Sequence, residues 1–160
     1  MANTVNNSPF FVSQKDFDFF NSVNEEVIDE VVGQSVDIYK IDLNETNSNI
    51  YGESEQKYYK IGFRVNCLVQ YNAPETTDND AGPDVNSSIQ MRFQRANLSS
   101  GSINFFPEIS DLVEWNEYYW EINSVTEPNL VAGSPQFNHA IVADANRTRI
   151  SNINIVERPR

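Results

Sequence analysis

Few residues in this chain are of types and spacings that could do chemistry. They are one cysteine, Cys67, one histidine, His139, and the closely spaced carboxylates of Asp78-Asn79-Asp80-Ala81-Gly82-Pro83-Asp84. Carboxylates at alternating loop positions suit a hard cation such as Ca²⁺. An EF-hand loop begun at Asp78 would need its glycine one place later and a glutamate where Ile89 stands. The segment therefore reads as a solvated acidic loop, and no metal is expected. Cys67 falls in the alternating row Phe63, Val65, Cys67, Val69, Tyr71, which shares one face of a strand and predicts a buried, inert thiol. A nucleophilic cysteine needs a neighbouring base, and nothing in the pattern ties Cys67 to His139. No G-x-S-x-G turn accompanies His139. Glu114, Glu117 and Glu121 beside Trp115 and Trp120 have the composition of a sugar-binding or glycoside-cleaving face. Tyr118, Trp120 and Ile122, however, alternate as core residues do. The six glycines form neither a G-x-x-x-x-G-K nor a G-x-G-x-x-G phosphate loop. The expectation is a protein without catalytic residues, cofactor or metal.

The elements that carry these residues follow from periodicity. Phe20, Val23, Val27 and Val31 recur at helical spacing, with Phe19 and Ile28 widening the stripe, Ser13 as N-cap and Gly33 as C-cap. This predicts one amphipathic helix over 13–32, its acidic residues forming the solvated face. Beyond Gly33 the period drops to two. Strands are expected over 35–43, 55–71, 85–98, 137–143 and 148–156. Asp111–Trp115 and Tyr118–Val125, broken at Asn116-Glu117, predict a β-hairpin whose turn type Asn-Glu leaves open. The fold class is therefore mainly β, a small antiparallel barrel or sandwich with one N-terminal helix, each strand having one core face and one solvent or partner face. Residues 1–12 form an arm and residues 13–160 a single domain, with a long acidic loop over 72–86 that contains four carboxylates and no Lys or Arg.

At 160 residues, 39% hydrophobic with ten Phe and seven Tyr, the chain can bury a sizeable core. Its net charge of −12 argues against a sequence-reading nucleic-acid binder. The segment MANTVNNSPFF lacks the basic and apolar regions of a signal peptide, and no apolar run suits a membrane span. The expected place of synthesis is the cytoplasm. Charge is unevenly spread: the first sixty residues hold eleven acids against four lysines, whereas Arg147, Arg149, Arg158 and Arg160 oppose only Glu157 at the other end. Acidic body and basic end are self-complementary and suit a head-to-tail subunit interface. The plainer alternative is that Arg147 and Arg149 merely flank a turn.

Several segments together resemble neck, or head-completion, proteins of contractile-tailed bacteriophages. They are Tyr51-Gly52-Glu53, the strand start Lys57-Tyr58-Tyr59-Lys60, the hairpin residues Asp111, Trp115, Tyr119, Glu121 and Ile122, the exit Glu127-Pro128, and the stretch from Phe137 to Arg149 that continues to Ile153, Ile155 and Glu157. The resemblance covers about two-thirds of the chain, which is shorter than the larger members of that group. It implies a non-enzymatic virion protein, assembled in the host cytoplasm as a homo-oligomeric ring that connects or closes the head beneath the portal and docks the tail. Its partners would be itself, the portal or adaptor, and other neck or tail proteins. A tail terminator or a stand-alone β-sandwich module binding a glycan or peptide are the alternatives. In a ring, Asp78, Asp80 and Asp84 would face the DNA lumen or an adjoining ring.

Overall fold

A computed structural model of the chain describes residues 14–46, 56–79, 82–99, 105–127, 139–149 and 153–155. The arm at 1–12, Ser13, Tyr51-Gly52-Glu53, Asp80, Pro128, Phe137, Glu157, Arg158 and Arg160 lie outside them.

The helix is present but changes character along its length. Gln14–Glu26 forms α1, and Val27–Val32 continues it as a π-helical segment. Gly33 ends it at φ 56°, its N–H donating to Ile28 O five residues back at 3.0 Å. Glycine takes this left-handed conformation without a Cβ penalty. The helix does not bury its apolar stripe. Phe17, Asn21, Asn24 and Ile28 turn inward, while Phe20, Val23, Val27 and Val31 stay 55, 40, 40 and 76% exposed. The docking surface is mixed: Leu68, Phe93 and Ala140 line it together with Gln94 and His139, and it takes polar as well as apolar groups from the inner side of the helix. Gln94 Nε2 donates to Asn21 O at 2.9 Å, and Asn66 Nδ2 donates to Asp29 Oδ1 at 3.0 Å.

The strands are β1 (Ser35–Ile41), β2 (Lys57–Asn66), β3 (Leu68–Tyr71), β4 (Glu75–Asn79), β5 (Gly82–Asn86), β6 (Ser88–Gln94), β7 (Leu112–Trp115), β8 (Tyr118–Thr126), β9 (Ala140–Arg147) and β10 (Ile153–Ile155), with a short helix α2 (Arg95–Leu98) after β6. Eight of them form one sheet in the order β10-β2-β1-β7-β8-β9-β6-β3. Only Cys67 separates β2 from β3, yet these strands sit near opposite ends of that order. The sheet must therefore curl until its ends meet, which makes it barrel-like. Gln34 spans the seam: its carbonyl accepts from Cys67 N at 2.9 Å and its Oε1 from Val69 N at 3.1 Å. The predicted strand over 55–71 is thus two strands that bend at Cys67. Pairing is antiparallel except between β10 and β2, which run parallel.

Hydrophobic alternation places the core. Ile89, Met91 and Phe93 of β6 are fully buried with Val36, Ile38, Val113, Trp120 and Ile122. A second cluster of Tyr39, Tyr59, Leu112 and Tyr119, with Ile41, Ile153 and Ile155 against it, uses the alternate positions of the same strands. On β1, β7 and β8 both faces are buried, and on β9 Ala140 to Ala143 are buried in succession, so the expected single core face does not hold on these strands. The region 72–86, expected as a loop, is instead largely a β4–β5 ribbon registered from Glu75↔Asn86 to Asn79↔Gly82.

Candidate functional site

The hairpin of β7 and β8 builds the most distinctive surface. Asn116 and Glu117 have φ of 53° and 66°, so the two-residue connection is a type I′ turn, whose twist matches the strands it joins. The register pairs Trp115 with Tyr118 and Val113 with Trp120, which sets both tryptophans on one face. Their ring centroids are 6.3 Å apart, and Trp120 Nε1 donates to Trp115 O at 3.3 Å. Tyr71, at the end of β3, meets Trp120 edge-on at 6.3 Å. Arg147, at the end of β9, lays its guanidinium 3.9 Å from the centroid of the Tyr118 ring, a cation–π stack. These residues, with Ser87 and Asn116, line an open pocket of about 320 Å³. Trp120 is buried, Trp115 half-buried, and Tyr71 and Tyr118 are 50 and 42% exposed. No carboxylate of the described residues lines the pocket or pairs with Arg147.

The acids named beside the tryptophans belong to the other side of the ribbon. Glu114 pairs across the ladder with Tyr119, and Glu121 with Leu112. Glu114 Oε2 accepts from Tyr39 OH at 2.8 Å, and Glu121 forms an ion pair with Lys57. Glu117 occupies the turn. Acids and tryptophans therefore point to opposite faces, and the two-carboxylate geometry of a glycosidase is not assembled. Burial pushes the Cys67 thiol up to about 12, which leaves it protonated and unreactive. His139 Nδ1 is buried with no hydrogen-bond partner among the described residues, as is Gln94 Oε1. Both line a small pocket of about 120 Å³ under the helix. Among the described residues no three His, Cys, Asp or Glu side chains are placed to hold a metal ion. None of their helices is long and apolar enough to cross a membrane.

Pattern reading missed one buried charge. Asp111, which enters the hairpin, has a fully buried side chain 2.9 Å from Lys40 Nζ. Its carboxylate also accepts the amide N–H of Glu108 at 2.7 Å and of Ile41 at 3.3 Å. Burial holds its pKa above the usual carboxylate range despite Lys40 and these donors. Lys40 also donates to Phe106 O at 2.6 Å and lies 3.0 Å from Glu108.

Of the four arginines named from sequence, Arg147 stacks in the aromatic pocket and Arg149 is exposed beyond the end of β9. Asp78 and Asp84 belong to the β4–β5 ribbon, opposite Pro83 and Thr77 respectively. The second surface with functional character is the outward face of the helix, where Phe19 is 69% and Val32 43% exposed beside the four stripe residues.

No family model matches the chain, and no curated protein matches its sequence. Among solved structures it is similar to a chain of the "virion of native gene transfer agent (GTA) particle", with a TM-score of 0.44 and 11% identity over 72% of this chain and 94% of that one. A likeness that distant assigns no function by itself.

Proposed function

We propose that this protein is a structural subunit of a phage-like virion, forming a ring in the neck that connects or closes the head beneath the portal and docks the tail. The observation that carries the reading is the outward stripe of Phe19, Phe20, Val23, Val27, Val31 and Val32. A contiguous exposed apolar face on a folded domain marks a surface that another protein covers. The phage-neck resemblance is also coherent in space. Lys57 pairs with Glu121, Tyr59 clusters with Tyr119, and Asp111 closes the same hairpin. In this reading the acidic segment 72–86, with Asp78, Asp80 and Asp84, faces the lumen or the next ring, where like charge keeps passing DNA from sticking.

The test replaces Val23 and Val27 together by glutamate. Both are partly exposed, so the fold should survive with a change of about 0.5 kcal/mol or less per site. Incorporation into particles should fall to background. Normal incorporation of the folded double variant would remove the basis of the reading. The alternative of a binding module draws on the aromatic pocket, and a ligand held there by a monomer would favour it.

A further inference from the structure

The aromatic pocket and the helix face lie at opposite ends of the same strands. Strand β6 runs from beside Ser87, in the pocket, to Gln94, which hydrogen-bonds the helix at Asn21. Strand β9 runs from Ala140, under the helix, to Arg147, in the pocket. Eight strand residues at roughly 3.3 Å each put the two surfaces about 25 Å apart. One molecule cannot bring them together.

Their chemistry is complementary. The helix offers Phe19, Phe20, Val23 and Val27 with Asp18, Glu25 and Glu26 exposed around them. The pocket offers Tyr71, Trp115 and Tyr118, with Arg147 as a cation that no described carboxylate pairs and Arg149 exposed nearby. Trp, Tyr and Arg are the residues that dominate binding energy at protein interfaces. Unlike patches at opposite ends make a heterologous contact, which closes into a ring when the rotation per subunit allows.

We infer that the outward face of α1 on one copy docks into the Tyr71–Trp115–Tyr118–Arg147 pocket of the next copy, head to tail. The inference rests on the ring reading and names the contact that would build the ring. A ring joined by other surfaces would leave the ring reading standing without it.

The experiment uses the full chain carrying either Val23→Cys, on the helix face, or Asn72→Cys, exposed beside Tyr71, with Leu43→Cys as an exposed control. Cys67 is buried and does not compete. A short bismaleimide is added to each variant alone and to equimolar pairs, while light scattering gives the assembly state. Crosslinked dimer from the Val23→Cys and Asn72→Cys mixture, but little from either alone or from mixtures with Leu43→Cys, is the expected result. Arg147→Glu should weaken self-association by about tenfold or more. Oligomers that form without this crosslink would overturn the inference and leave the ring standing. Crosslinking of Val23→Cys to itself would replace it with a two-fold helix contact. A chain that stays monomeric at high concentration and binds an oligosaccharide, with quenched tryptophan fluorescence, would overturn it in favour of a sugar site.

Discussion

Replacing Lys40 by methionine should expose how much the hairpin depends on one buried charge. Methionine keeps most of the side-chain length and removes only the ammonium, which lies 2.9 Å from Asp111 and donates to Phe106 O. Asp111 would then be a fully buried carboxylate held by two backbone amides, those of Glu108 and Ile41. Removing one partner of a buried ion pair costs about 3–5 kcal/mol. The remaining amide donors place this case near about 3 kcal/mol, a large share of the roughly 5–15 kcal/mol that holds a domain together. With a urea slope of about 2 kcal/mol/M, the unfolding midpoint should fall by about 1.5 M.

The pH dependence separates a charge effect from lost packing. Burial already raises the pKa of Asp111 in the folded state, and losing Lys40 raises it further. An acid with a raised folded pKa binds protons more tightly when folded, so its carboxylate form weakens the fold at neutral pH. That penalty is relieved as the pH falls through the raised folded pKa towards the unfolded value of about 3.9. The deficit of Lys40→Met relative to the parent should therefore shrink on acidification, and Asp111→Asn should cost less than Lys40→Met at pH 7. A Lys40→Met chain within about 0.5 kcal/mol of the parent, or a deficit that ignores pH, would refute the reasoning.

Other consequences are simpler to check. Glu117 holds φ of 66°, which glycine adopts more easily, so Glu117→Gly should gain about 0.5 kcal/mol and raise Tm by about 1–2 °C in thermal unfolding. Trp120→Ala removes a fully packed ring that bridges Tyr71 and Trp115, and should cost about 3–5 kcal/mol by urea unfolding. The Cys67 thiol should resist iodoacetamide at pH 8 in the native chain and react fully in urea, as its pKa of about 12 and its burial require.

Local rules found much of the fold because period and turn chemistry are written in neighbouring residues. Ile89, Met91 and Phe93 alternate and are all buried, and Asn116-Glu117 breaks two strands where the I′ turn lies. Position in space is not local, and neighbouring residues do not encode it. The spacing of Phe20, Val23, Val27 and Val31 specifies a helix but not which side meets the barrel. On the side that does meet it, the Asn21 main-chain carbonyl accepts from Gln94 and the Asp29 carboxylate accepts from Asn66. Burial of both faces on β1, β7 and β8 depends on what packs over each face, such as Ile153 and Ile155 against the second cluster, which alternation within one strand does not encode. For the candidate site, Trp115 and Trp120 are legible from the hairpin and Arg147 from the basic end, two separate segments. Their meeting with Tyr71 depends on β3 lying beside β6, and β6 beside β9. Asp111 and Lys40 stand on β-hairpin and β1 segments far apart in the chain, and no pattern linked them.

The most direct test of the virion reading is quantitative mass spectrometry of purified particles from the source, with the portal protein as internal standard. A neck ring predicts from a few to about a dozen copies per particle, in fixed ratio to the portal. Hundreds of copies would instead mark a capsid-decorating or tail-tube protein, and absence from the particle would contradict the account.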